Sequence, residues 1–293
     1  MGGRLHDIAA SLIFIVLYGL SFGMVLFAIS IGLVITMGLM RMVNMAHGFF
    51  AALGAYVTVW LMFQEGAPMW LSVVAACVVV ILLSVLIERL LIRRLYTAAQ
   101  LDQVLLTIGL AFLGVAFLNL LFGPDPQPSA LPASLAANVD LGIRTIQTYR
   151  LFVVALGACL MLGLWWLFDK TDFGARIRAA VDNRRMAEAV GIDVDRLFAV
   201  TFVIGCCLAA LGGAVGYAML PPEPMYPFKY LVIILIVVAL TGFGNIKSGA
   251  FIAAAVGLVD TAGRFLAPTY GSFCVYFFLI GMMVWQNIRT AEP

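Results

Sequence analysis

The sequence predicts an all-α, polytopic integral membrane protein, and three observations carry that prediction. Only 11% of its 293 residues are charged while 64% are hydrophobic, and mean hydropathy is +1.09; soluble domains carry about 25% charged residues. Long uncharged runs recur, at 8–40, 42–64, 66–87, 103–122, 151–168, 197–222, 230–246, 248–259 and 265–288. A helix needs about 20 apolar residues to cross the hydrocarbon core at 1.5 Å per residue, so the chain crosses repeatedly. Finally, Lys and Arg gather in two short segments, as the positive-inside rule expects of cytoplasmic loops.

The first run, from Ile8 to Leu39, is long enough for one helix. It follows a single Arg and lacks a small-residue cleavage pattern, so it is expected to be retained rather than removed as a signal peptide. Next comes MRMVNMAHGFF, with Arg41, Asn44 and His47 just ahead of another apolar run. It is either a cytoplasmic turn or a broken helix with polar groups at depth.

After the run at 66–87, the segment 88–102 carries Arg89, Arg93 and Arg94, and the segment 169–196 carries Lys170, Arg176, Arg178, Arg184, Arg185 and Arg196. Both are assigned to the cytoplasm. Between them one span (103–122) leads out, the proline-rich stretch from Gly123 to Arg150 forms an outside loop, and 151–168 returns. A span at 197–220 leaves again, PPEPMYPFK turns outside, and 265–288 comes back.

The remaining stretch, 230–263, must therefore begin and end outside. It divides into LVIILIVVALTG, FGNIKSG and AFIAAAVGLVDTAG. Each apolar part has about 12 to 15 residues, short for a full crossing, which favours two half-helices meeting at a glycine-rich break over a full tilted hairpin. Counting that pair once gives about eight membrane elements, with the N-terminus outside and the C-terminus inside. The whole of 1–293 reads as one transmembrane domain with a cytoplasmic segment at 169–196.

Five cysteines all lie in apolar runs, without a C-x-x-C, and His6 and His47 are the only histidines. They read as small buried hydrophobes, and no metal site is expected. The net charge of +2 is scattered and points to no nucleic-acid partner. Gly19-Leu-Ser-Phe-Gly23 and Gly212-Gly-Ala-Val-Gly216 have the spacing that lets helix backbones meet closely in lipid.

The segment 176–196 holds nine of the thirty-two charged residues. Asp169, Thr171 and Asp172 are helix N-cap residues and Gly191 is a stop signal, so one helix of four to five turns is predicted between them. Ile177, Ala180, Val181, Ala187 and Val190 would form its apolar side, with Arg178, Asp182, Arg185 and Glu188 on other faces. That pattern fits a short amphipathic helix at the membrane surface or in a partner's groove, and equally an ordinary solvated helix.

AEAVGIDV (187–194), followed by an Ala/Gly-rich apolar run, resembles the cytoplasmic coupling loop of ABC-importer permeases. Glu188, Ala189 and Gly191 match a shortened form of its E-A-A-then-Gly pattern. GLVITMGLMRMVNMAHGFFAALGAY (32–56) is similar to the N-terminal signature of branched-chain amino-acid ABC permeases, a group that also serves urea, short amides and aromatic acids. Gly32, Leu33, Gly38, Arg41, Val43, Asn44, Ala46, His47, Gly48, Gly54, Ala55 and Tyr56 carry that match, and Met45 replaces a usual Phe. TGFGNIKSGAFIAAAVGLVDTAGRFLAP (241–268) resembles the family's third conserved region, with Thr241 and Asn245 as departures and Ser248 as one extra residue.

The resemblance implies a non-enzymatic transport subunit of the bacterial inner membrane, working with two ATPase subunits, a homologous second permease and a periplasmic binding protein. The binding protein would carry most of the substrate selectivity, and this chain resembles the permease without the longer N-terminal extension. ATP and Mg would be bound by the partners, since no G-x-x-x-x-G-K-[ST] loop occurs here. Arg178, Asp182, Arg184, Arg185, Glu188, Ala189 and Gly191 are the ATPase-coupling candidates. Arg41, Asn44, His47, Gly48, Gly242, Gly244 and Asn245 are the substrate-path candidates, because polar groups and broken helices at membrane depth usually line a path. A purely structural role for them stays open. The alternative function is a channel or ion-coupled carrier, for which Asp260 is the main carboxylate; a membrane enzyme finds no catalytic constellation.

Overall fold

A computed structural model describes residues 2–40, 42, 44–96, 98–140, 145–242 and 245–291. Its twelve α-helices among these residues are α1 (Gly2–Met40), α2 (His47–Phe63), α3 (Met69–Leu90), α4 (Gln100–Phe122), α5 (Thr148–Lys170), α6 (Asp172–Asp182), α7 (Arg184–Ala189), α8 (Val194–Gly216), α9 (Tyr226–Lys229), α10 (Leu231–Thr241), α11 (Ile246–Leu266) and α12 (Gly271–Ala291). Ala10–Gly38 of α1, with α3, α4, α5, α8 and α11, is long and apolar enough to cross a membrane. With the shorter α2, α10 and α12, the protein is an all-α, multi-pass membrane protein.

The solvent around the bundle is legible from its surface. Trp70, Leu113 and Leu120 are 70%, 68% and 83% exposed on α3 and α4, which water would penalise and lipid does not. The core lies on α8, the most buried span. α1 packs most extensively against α11 and then α8, while α2 and α3 pack on α8.

Small residues make these crossings possible. A Cβ on Gly32 would overlap the Gly205 carbonyl, one on Gly54 the Ala210 carbonyl, and one on Gly213 the Ala51 carbonyl. Both G-x-x-x-G pairs are used: Gly19 and Gly23 face Leu258 and Ala253 of α11, and Gly212 and Gly216 face Ile29 and Val25 of α1. In lipid, where no water exclusion drives helices together, such backbone proximity supplies the van der Waals contact.

The two basic segments share one end of the bundle. The Tyr96 ring stands edge-on to Phe198 at 5.6 Å and the Arg184 guanidinium lies 5.7 Å from the same Phe198 ring. At the other end, the loop after α4 carries a small antiparallel pair, β1 (Asn138–Asp140) with β2 (Thr145–Gln147). That loop is tied to the α8–α9 connection by Tyr217 Oη donating to the Ala130 carbonyl (3.0 Å) and Gln127 N–H to the Pro222 carbonyl (2.9 Å).

The α10–α11 pair is asymmetric, which corrects the reading of two half-helices. α10 has 11 residues, about 16 Å at 1.5 Å per residue, whereas α11 has 21, about 31 Å and enough to cross alone. α11 begins earlier than its apolar pattern suggests because the Asn245 side chain caps it, accepting from Ser248 N–H at 3.1 Å. It also runs on past Asp260, whose charge is matched one turn later by Arg264 (2.8 Å).

Candidate functional site

At the basic end, the predicted single helix is two. Asn183 takes an extended conformation (φ −148°, ψ 99°) between α6 and α7, and its side chain accepts the Met186 N–H at 3.1 Å. Asparagine competes well for such caps because its short amide reaches the orphan donors of a helix start. The stop is a Schellman arrangement around Gly191 (φ +88°), with Gly191 N–H to the Glu188 carbonyl and Ile192 N–H to the Ala187 carbonyl, both 3.0 Å.

The break re-aims the second half. Ile177, Ala180 and Ala187 are buried as predicted, but Val190 is 71% exposed and Met186, four residues earlier, is 63% exposed. One helical spacing carried across Asn183 could not show this, because the extended residue resets the helix phase. Met186 was missed; an apolar i, i+4 pair on an otherwise polar helix is the signal that finds it.

Among the named coupling residues, Asp182, Arg185 and Ala189 are exposed. Arg178 is exposed too, yet its Nη1 donates to the Phe168 carbonyl and closes α6 onto α5. Arg184 acts as a brace, its Nε on Glu188 (2.9 Å) and its Nη2 on Asp195 (2.7 Å) at the start of α8. Both pairs raise the Arg184 pKa, the Glu188 hydrogen bond most. A groove of about 660 Å³ separates α6 from the end of α1, lined by Ile177 and Val181 on one side and Ile35 and Gly38 on the other. Asn183→Ala should remove a cap worth about 1 kcal/mol, so the Met186 amide is expected to exchange with deuterium several-fold faster while α8 amides do not change.

The substrate-path candidates fall into two clusters. Arg41 and Gly244 lie outside the described residues. Met42 and Asn44 are not helical. The Asn44 side chain accepts Ala46 N–H (3.0 Å), and His47 Nε2 bonds the Ile29 carbonyl (2.7 Å). Ile29 stands eleven residues before Met40, about 16 Å up α1. The six residues between Met40 and His47 can extend about 20 Å, so the chain doubles back and α2 begins inside the bundle. Met42, Asn44, Ala46 and His47 are all buried within the bundle. Asn44 and His47 are 2% and 1% exposed, and a Cβ on Gly48 would come within 2.7 Å of the Pro227 carbonyl on α9.

The second cluster is the α10–α11 break. Gly242 has φ +72°, a conformation that favours glycine, and it and Asn245 are exposed. Thr241 and Gly249 flank the break, and a Cβ on Gly249 would touch Ile31, Thr241 and Phe27. Both breaks therefore abut the same stretch of α1, Phe27 to Ile31, although no hydrogen bond joins the two clusters among the described residues. Lys247 extends toward the basic end, its Nζ 4.3 Å from the Trp165 ring.

A bundle of spanning helices interrupted at two places beside one stretch of α1, with a polar helical pair at one end, is the form a membrane transport subunit takes. The family described as the branched-chain amino acid transport system permease component matches residues 15–284, and the chain belongs to it. It is 29% identical over 279 residues, 90% of this chain and 86% of the relative, to a probable branched-chain amino acid transport permease protein LivH of Methanocaldococcus jannaschii. It is 28% identical over 211 residues, 67% of each chain, to the high-affinity branched-chain amino acid permease LivH of Escherichia coli K12. A similar match, 28% over 207 residues and 66% of each chain, is to BraD of Pseudomonas aeruginosa.

Proposed function

We propose that this chain is the permease subunit of an ATP-driven importer of branched-chain amino acids or related small carboxylates or amides in a bacterial inner membrane. Two separate ATPase subunits carry the ATP and Mg, and a homologous second permease and a periplasmic binding protein complete the assembly. The observation that supports this most is the α6–α7 pair, with α7 capped by Asn183 and stopped at Gly191 and braced to α8, presenting Met186 and Val190 outward at the basic end. Exposed apolar side chains outside the spanning helices are what a partner's groove takes up.

Coupling would run through the same contacts. α6 turns directly off α5, where a Cβ on Gly174 would overlap the Phe168 carbonyl, so the two move as a unit. α7 is tied to α8 through Arg184. A force on the pair would reach α5 and α8, and α8 packs along α1, where both helix breaks sit. The basic end is then cytoplasmic, with the N-terminus outside and the C-terminus inside. At the breaks, the open backbone around Gly242 and Asn245 would meet substrate, while Asn44, His47 and Gly48 hold the α2 start in place.

Photo-crosslinking tests the docking. With p-benzoylphenylalanine at Val190 in the native host, the adduct is expected to contain an ATPase subunit. An adduct-free chain, with the same probe at Leu120 as the lipid-facing control, would overturn the coupling role.

A further inference from the structure

A cavity of about 810 Å³ opens at the end opposite α6–α7, walled by the first half of α1, the start of α5, α9 and the start of α10, the end of α11 and the start of α12. Its charged lining is Arg150, Lys229, Arg264 and Asp260, three cations to one carboxylate. The four are not equivalent. Arg264 is matched by Asp260 (2.8 Å), and Lys229 by Glu223 (2.5 Å). Arg150 has no carboxylate partner among the described residues. Its Nη1 donates to Ser21 Oγ (3.1 Å), its Nε to Gln147 Oε1 (3.4 Å), and its guanidinium lies 3.6 Å from the Tyr18 ring centroid.

These contacts fix the guanidinium without neutralising it. The Tyr18 face and Ser21 hydroxyl hold one edge, and a planar fork held in this way is preorganised for a bidentate carboxylate. A half-buried cation beside hydrocarbon is costly unless an anion meets it. The first amides of α10 have no intrahelical acceptor, and Val232 and Ile233 from that turn line the same space, which adds positive potential. The rest of the wall is apolar, with Phe14, Phe22, Ile236 and Val275.

We infer that this cavity is a binding site for a small carboxylate with an apolar body, held by Arg150 through the carboxylate and by the Phe22–Ile236 wall through the body. It rests on the proposed transport role, and makes the cavity the first station for a substrate arriving from outside. None of the motifs that carry the family resemblance contains Arg150. Its role comes from the meeting of six separate elements, which no local pattern encodes.

The test uses the purified full-length chain in nanodiscs of neutral phosphatidylcholine, with saturation-transfer NMR against L-leucine, 4-methylpentanoate and isoamylamine. L-leucine and 4-methylpentanoate are expected to bind and isoamylamine, which lacks the carboxylate, is not. Arg150→Gln should weaken binding at least tenfold, with Arg150→Lys recovering part of it. Ile233→Trp, which keeps every charge but fills the space, should also abolish it, so a folding defect in one variant does not decide the matter. Equal binding of all three probes, or unchanged binding in Ile233→Trp, would overturn the site. So would absence of leucine binding with phosphatidylglycerol retained in an Arg150-dependent way, which would assign the cavity to a lipid headgroup. Because no ATPase is present, failure here leaves the coupling proposal intact, and failure of the crosslink leaves the binding result standing.

Discussion

Gly213→Val is expected to prevent the chain from reaching its folded state, lowering the yield of monodisperse protein to a small fraction of wild type. The new Cβ would occupy the space of the Ala51 carbonyl oxygen. What has to yield there is backbone on α2, and it cannot rotate away as a flexible side chain would. Overpacking a well-filled core costs about 1–3 kcal/mol where side chains can adjust, so a backbone overlap at the α2–α8 crossing should cost at least the top of that range. A matched control separates this from a general dislike of substitution in helices. Gly109 on α4 and Gly163 on α5 have nothing within 4 Å of an added Cβ, and alanine there should be neutral or stabilise by up to about 1 kcal/mol through helix propensity. Size-exclusion profiles and thermal unfolding in one detergent read both. A Gly213→Val chain with the wild-type midpoint would remove the claim that close backbone approach holds this bundle.

The same contrast explains what could be read in advance. Spans and their order followed from charge-free runs and from the placement of Arg89, Arg93 and Arg94 against Arg176 to Arg196, since lipid excludes charge and leaves a one-dimensional record. The break at Gly242 to Asn245 was legible for a related reason: glycines and a capping Asn punctuate locally. The length of α11 was not, because its first turn carries Lys247 and Ser248 and starts from the Asn245 cap, so an apolar count begins the helix only at Ala250. The start of α2 within the bundle depends on His47 reaching Ile29, a tertiary contact eighteen residues apart. The α6–α7 break hinges on whether Asn183 spends its side chain on a cap, a choice that helical periodicity does not record. Among the named coupling candidates, helical spacing did not separate Arg184, which braces α7 to α8, from the side chains that face outward, and Met186 was not among them.

Charge placed on that outward face is the most direct challenge to the coupling role. In Met186→Glu/Val190→Glu, both changes fall on side chains that are already 63% and 71% exposed, so the chain itself loses little packing and should insert and purify normally. Surface changes of this kind usually stay within about 0.5 kcal/mol of wild-type stability. The effect is different once a partner covers them. Each carboxylate would have to be desolvated in an apolar groove without a counter-ion, at a cost of about 3–5 kcal/mol per unpaired buried charge, which corresponds to at least a hundredfold weaker association at 1.4 kcal/mol per decade. ATP-driven uptake in proteoliposomes containing the full assembly is therefore expected to fall at least tenfold, and the ATPase subunits to be lost from the purified complex. Asn183→Ala provides the graded companion: it frays α7 without adding charge, so it should reduce uptake less and leave the partners bound. Full uptake in the doubly charged variant would mean that α6–α7 is a solvated helix pair and that the ATPases press elsewhere.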